Sequence, residues 1–222
     1  MAGKADQDTE GQKPLRKGMA EKRRAITSGA RTVFGREGYT RASIDAIAAE
    51  AGVSTRTIYN HFGDKEGLFR AVLLESAATV TETTAAVFER HLRKVRDVEE
   101  DLLDLARDWV AQSAAHPGHF AVVRQIIPEG GRLPADVLAE WQRIGPRATQ
   151  EALGHWLLEL GRQGLLAVDE TNARKAARQF ALMVGGGVTA ESYFGALPLT
   201  EAEIEEIVRD GVGIFLRVYG VG

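Results

Sequence analysis

The chain has 222 residues, 44% of them hydrophobic and 27% charged, with a net charge of −3. That is apolar material for a real core, so the length suits one large helical domain, or a domain with a smaller companion, and needs no metal or disulfide staple. Cysteine is absent, which excludes disulfides, thiolate catalysis and cysteine-ligated zinc or iron–sulfur sites.

Residues 1–17 are polar and charged and lack the apolar core of a signal peptide. They are expected to form a disordered tail. No apolar run in the sequence approaches the roughly 20 residues of a membrane span, so a cytoplasmic location with no membrane partner is expected. Helical periodicity starts near Met19, where Ile26, Ala30, Val33 and Phe34 make one stripe. The segment "GREGY" then supplies two glycines to stop the helix. Ser43 can cap a short second helix, with Ile44, Ile47 and Ala48 facing inward, and Gly52 ends it. Ser54 caps a third helix, "STRTIYNHF". Asp64 caps a fourth, whose apolar positions run from Leu68 to Phe88 without a breaker. About 26 helical residues would span roughly 40 Å, the length of a bridge between two parts of a protein.

Beyond Arg96 the pattern stays helical. Asp97 with Glu100 resembles a capping box. Pro117 and Pro134 suit first-turn positions of new helices. A long helical stretch follows Pro134, with a kink expected at Pro146. Helices at about 170–194 and 200–219 close the chain, the last opened by a Thr200–Glu203 capping box. No run of alternating strands and no internal repeat is present. The expected fold is all-α: a three-helix N-terminal domain over 18–63 and a larger helical bundle over 64–222.

The stretch "VSTRTIYNHFGDKEGLF" carries the chemistry. Two helices separated by "EAGVS" have helix-turn-helix spacing. Gly52 supplies the turn, and Ala48 is small where the helices cross. With Val53, Ile58 and Phe62 inward, Thr55, Arg56, Thr57, Asn60 and His61 point outward from the part of a second helix that enters a major groove. Arginine can bond bidentately to guanine, threonine offers a hydroxyl and a methyl, and asparagine reads adenine. Tyr59 and His61 can donate to phosphate, and Lys65 adds charge. Charge along the chain agrees, with a balance of +3 over residues 1–66 and −6 over 67–222, so one end suits an anionic partner. Lys22, Arg23 and Arg24, with Lys13, Arg16 and Lys17, could extend that contact or only solubilise the tail.

At these residues the sequence resembles the tetracycline-repressor (TetR) family. The match lies in Ile47, Ala48, Ala51, Gly52, Val53 and Ser54, in Tyr59, His61 and Phe62, and in Lys65 and Leu68, over about residues 22–72. The sequence departs from the family at Arg56, where a small residue, frequently glycine, is common. Ser43 stands where threonine is common and keeps the cap. The resemblance implies a ligand-responsive regulator, most often a repressor. Such a protein binds a palindromic double-stranded operator as a homodimer, and a small molecule releases it by shifting the long fourth helix. The DNA-binding set is then Ser43, Ser54, Thr55, Arg56, Thr57, Tyr59, Asn60, His61 and Lys65.

A hydrophobic effector would meet large apolar groups of the second domain: Trp109, Phe120, Trp141, Trp156, Phe180 and Met183, with Gln112, Arg124 and Gln179 as polar partners. Each residue taken singly also suits plain core. The run Gly185, Gly186, Gly187 interrupts a helix and lacks the Lys-Ser/Thr of a phosphate loop. With Gly211 and Gly213 it suits close helix approach in a dimer interface, or a local kink beside a pocket. His116 and His119 lack a third ligand at a convincing spacing, so no metal is expected, and no cofactor. No catalytic constellation is present either: no Gly-x-Ser-x-Gly, no His-Glu-x-x-His and no Walker loop. The remaining alternative is a DNA-binding regulator without a small-molecule effector, which tight packing of Trp109, Trp141 and Trp156 would favour.

Overall fold

A computed structural model describes residues 8–221 apart from 193, 194 and 196, with side chains from residue 18 onward. Among these residues are eleven α-helices and no β-strand, as the periodicity predicts. Residues up to 75 together with 118–137 form one compact unit, and residues 76–117 with 138 onward form a second.

In the first unit, α1 (Asp8–Arg41) is described back into the expected tail, of which residues 1–7 lie outside the described residues. Gly35 stays helical. Gly38 alone breaks the helix, because its φ of 81° is left-handed. Ile26, Ala30, Val33 and Phe34 are all fully buried. The helices α2 (Ile44–Ala51), α3 (Thr55–Phe62) and the start of α4 (Lys65–Leu92) pack on this stripe. Phe69 of α4 meets Phe34 edge-on at 5.1 Å and Tyr39 at 4.9 Å. Asp64 caps α4 by accepting from the Gly67 N–H at 2.7 Å. α6 (Pro117–Glu129) joins this unit through Ala121, whose Cβ would lie 2.8 Å from a Cβ on Gly35. Gln125 adds a hydrogen bond to the Gly35 carbonyl.

In the second unit, α5 (Val98–Ala115) starts at Asp97, whose carboxylate accepts from Glu99 and Glu100 N–H, both at 3.0 Å. The reciprocal partner is not Glu100, as the spacing predicts, but Asp101. Its Oδ2 accepts from Arg96 N–H at 2.7 Å and Asp97 N–H at 3.1 Å. Pro134, which belongs to the first unit, sits just ahead of α7 (Ala135–Gln142) rather than inside its first turn. The expected kink at Pro146 is a π-turn over Arg143–Arg147 that separates α7 from α8 (Ala148–Arg162). Proline has no N–H to continue the ladder, and Thr81 Oγ1 bonds the Ile144 carbonyl there at 3.0 Å.

A second π-turn, Leu182–Gly186, lies between α9 (Ala173–Ala181) and the short α10 (Gly187–Glu191). Two glycines of the run thus end a helix whose ladder they weaken. α11 (Glu201–Tyr219) opens on the expected Thr200–Glu203 capping box. Phe88, Leu102, Leu105, Leu157, Phe180 and Phe215 form the centre of this unit's core, each fully buried.

Arg107 of α5 holds Glu205 of α11 with two hydrogen bonds, of 2.9 and 2.7 Å. Asp104 and Arg209 extend the cluster. The hydrogen bond from Arg107 is the main reason the Glu205 carboxyl is lowered to about 2 from its ordinary 4.5, although burial opposes the shift. A lowered native value means stability is present above the unfolded value and is lost as pH falls through the native one. Glu205→Gln is therefore expected to be less stable than the parent at neutral pH. The gap should close between pH 4.5 and about 2. Paired urea titrations across that range check this; a constant gap would show that the charge of Glu205 does not matter.

Candidate functional site

The α2–turn–α3 unit is built by its caps. Ser43 Oγ accepts from Ala46 N–H at 3.1 Å, and Ser54 Oγ accepts from Thr57 N–H at 3.2 Å. Gly52, at φ 64°, turns the chain so that Val53 N–H reaches the Ala48 carbonyl at 3.0 Å. Only a left-handed residue closes a helix this way, which suits glycine. Ile58 is fully buried and anchors α3.

On the opposite side, Arg56, Tyr59 and Asn60 are exposed, Tyr59 at 49%. None of these three side chains makes a hydrogen bond or ion pair among the described residues. Thr55 and His61 are half-buried, and the His61 ring lies 6.1 Å from that of Phe62. The α3 side chains expected together are thus brought together on one short helix.

Other expected contacts have structural duties. Ser43 and Ser54 are caps, and the Ser54 and Thr57 hydroxyls bond each other at 2.8 Å. Lys65 Nζ donates to the Ala42 carbonyl at 3.0 Å and the Thr40 carbonyl at 3.4 Å, and sits 4.7 Å from the centre of the Tyr39 ring. An ammonium there satisfies carbonyls left over at the end of α1. Burial, aided by Glu66 and Asp64, raises the Tyr39 phenol above its ordinary value. Arg23 is paired with Glu75 and covers the Phe62 ring at 4.8 Å, while Lys22 and Arg24 are exposed. The side chains of Lys13, Arg16 and Lys17 lie outside the described residues.

Glu129 was not legible in the sequence. This last residue of α6 accepts from Tyr39 N–H at 2.6 Å and from Thr40 N–H at 3.2 Å. It caps the short helical piece that follows the Gly38 break, and a Cβ on Gly38 would lie 2.9 Å from its Oε1. Ninety residues separate the Glu129 and Tyr39 partners, so no local pattern announces the pair.

Among the apolar set, Phe120 and Arg124 belong to the first unit. Trp109, Gln112, Trp141, Trp156, Phe180 and Met183 belong to the second. Phe180 is core, fully buried between Trp109 (6.1 Å, stacked) and Phe215 (5.0 Å, edge-on). Gln179 is engaged by the Tyr219 hydroxyl. Trp109, Trp141 and Trp156 are each only partly buried.

Two glycines expected at a dimer interface serve packing within one chain. A Cβ on Gly211 would meet the Met183 carbonyl oxygen at 2.8 Å, and one on Gly187 would meet Ile207 at 2.7 Å. Gly185 and Gly213 have open space around them, and Gly186 has only ordinary contacts. His116 bonds Thr83 Oγ1 at 3.1 Å. No group of three or more metal-ligating side chains occurs among the described residues, and none of their helices is long and apolar enough to cross a membrane.

The helix-turn-helix segment matches, over residues 26–72, the family described as bacterial regulatory proteins, tetR family. Residues 100–221, more than half of the chain, match the AefR-like transcriptional repressor, C-terminal domain. The chain belongs to the TetR family. Members of the TetR family are transcriptional regulators, not enzymes.

This TetR-family chain is 32% identical over 98 residues to the HTH-type transcriptional repressor AcnR of Corynebacterium diphtheriae, covering 44% of the chain and 45% of AcnR. It is 30% identical over 115 residues to the HTH-type transcriptional regulator UidR of Escherichia coli, covering 50% and 53%. It thus spans about half the length of the curated relatives it matches. Solved structures extend the likeness. A TetR-family regulator from Mesorhizobium loti superposes with a TM-score of 0.81 at 29% identity, over 91% of this chain and 98% of that one. The flavonoid-responsive regulator FrrA gives 0.62 at 29% identity, over 90% and 98%.

Proposed function

We propose that this TetR-family chain is a transcriptional repressor that binds a palindromic operator as a homodimer and is released by a hydrophobic small molecule. The observation that carries the DNA-binding part is the outer face of α3. Arg56, Tyr59 and Asn60 stand exposed and unpaired on a helix held rigid by a capped start and the buried Ile58. Flexible side chains on a fixed helix are what base-edge reading in a major groove requires. Ser54, Thr55, Thr57 and His61 flank them. Ser43 and Lys65 act by fixing the ends of α2 and α1.

Dimerisation is supported by apolar groups exposed at the C-terminal end. Leu182, Ile214, Val218 and Val221 are 63%, 40%, 57% and 53% exposed. A surface of this kind suits a second copy, and the open space around Gly185 and Gly213 would let helices approach closely. The partial burial of Trp109, Trp141 and Trp156 supports an effector site over a solid core. The likeness to a flavonoid-responsive regulator fits that reading.

The test is a gel shift at physiological salt, using labelled DNA from upstream of the protein's own gene with unrelated DNA as competitor. Competitor-resistant binding is expected. Arg56→Ala should then cost about 1–3 kcal/mol at the cognate site, with binding to unrelated DNA little changed. Equal loss on every sequence would show that Arg56 touches only phosphate.

A further inference from the structure

Two side-chain atoms of the second unit are buried without a hydrogen-bond partner: Trp141 Nε1, a donor, and Gln112 Oε1, an acceptor. Buried polar atoms are nearly always paired, so each requires an explanation. Their positions along α4 can be read from neighbouring contacts. Trp141 Nε1 lies 3.7 Å from where a Cβ on Gly145 would stand, and that point lies 3.6 Å from Ala77 Cβ. Gln112 lies one turn from Trp109, which meets Phe88 at 5.1 Å, and one turn from His116, which meets Thr83. It is therefore level with residues 84–87. The two groups sit a little over two turns of α4 apart, roughly 12 Å.

Charge narrows the chemistry. The buried polar residues of this unit are Ser76 and Thr84, and no buried Asp, Glu, Lys or Arg occurs among its described residues. An ionised ligand would find no fully buried counter-charge there, and burying an unpaired ion is strongly unfavourable. In α4 register the rings of Trp109 and Phe88 lie at the Gln112 end, and the Trp141 indole itself marks the other end.

We propose, resting on the effector reading above, that this unit takes an uncharged, elongated aromatic molecule with a hydroxyl at each end. One hydroxyl accepts from Trp141 Nε1–H and the other bonds the Gln112 amide. A hydroxyl both donates and accepts, so it satisfies Gln112 whichever way the amide is turned. Trp141 and Gln112 are thus the specificity-determining residues, and the aromatic groups supply apolar contact.

Calorimetric titration of the full chain tests this with four probes on one scaffold: 4,4′-dihydroxybiphenyl, 4-hydroxybiphenyl, biphenyl and biphenyl-4,4′-dicarboxylate. The expected order is dihydroxy tightest, biphenyl at least tenfold weaker, and dicarboxylate without binding. Trp141→Phe, which keeps a ring and removes the N–H, and Gln112→Leu should each weaken the dihydroxy probe about tenfold and leave biphenyl within twofold. The proposal is overturned if biphenyl binds as well as the diol, if the dicarboxylate binds, if neither variant separates the probes, or if no probe binds. Failure of the repressor reading would appear elsewhere, as loss of specific binding in the gel shift, whatever the probes do.

Discussion

The Gly161→Ala protein is expected to lose about 3 kcal/mol of stability or more, the upper range for overpacking a rigid site. Gly161 sits in the last turn of α8. A Cβ there would stand 1.8 Å from the Val168 carbonyl oxygen and 2.8 Å from its carbon. Both are backbone atoms, so no rotamer change relieves the clash. The chain reaches this contact by reversing at Gly164, whose φ is 73°, with Leu165 N–H on the Leu160 carbonyl at 3.0 Å. Leu166 and Val168 then enter the core. Adding one methyl group must move either α8 or this reversal. The urea midpoint is the measurement. Gly164→Ala is the comparison, because its Cβ would meet open space and it should cost only the left-handed backbone strain of about 1–2 kcal/mol. Equal, small losses at both sites would mean that α8 does not press on Val168.

The second large effect is expected at Glu129. Its carboxylate accepts from two backbone N–H groups, Tyr39 and Thr40, just after the Gly38 break. Hydrogen bonds to a charged acceptor contribute about 1.5–3 kcal/mol, and a negative group at a helix start also meets a favourable dipole. Glu129→Ala should therefore cost about 2–3 kcal/mol. Glu129→Gln should cost less, because one amide oxygen still accepts. Hydrogen exchange locates the effect: the Tyr39 and Thr40 amides should lose protection in Glu129→Ala well before those of Ile58 or Leu68. Protection unchanged at residues 39 and 40 would show that the carboxylate does not hold them. Tyr39 also packs on Phe69 and carries Lys65 over its ring, so loosening here should reach the start of α4. On the repressor reading, operator affinity should fall with it.

Several features of this protein are written locally. Ser43, Ser54, Asp64 and Thr200 cap the helices they precede, and Gly52 makes the reversal between α2 and α3. Each depends on a hydrogen bond across three to five residues, or on one residue's allowed φ, so composition and order are enough to read it. The apolar stripe of α1 is local in the same sense, because 3.6-residue periodicity puts Ile26, Ala30, Val33 and Phe34 on one side whatever covers them. Even there, neighbours decide details: Asp101 rather than Glu100 accepts from the Arg96 and Asp97 N–H groups.

Other features exist only after the chain has packed. Lys65 is a formal positive charge in the sequence, and the fold turns it toward the Ala42 and Thr40 carbonyls more than twenty residues earlier. Glu129 is one of 31 acidic residues until α6 lays it against Tyr39. Gly187 and Gly211 suggest close approach, but only tertiary structure sets them against Ile207 and Met183 of the same chain. Trp141 and Gln112 are an aromatic and an amide among others until packing removes their polar atoms from water without supplying partners. The sequence alone therefore determined the helices, the caps made by the residue just ahead of a helix and the presenting face of α3, because these follow from short-range sterics and hydrogen bonding. Which charges are engaged, which glycines are crowded and which polar atoms stay unpaired was decided by contacts between segments tens of residues apart, and those arise only when burial of the two cores brings the segments together.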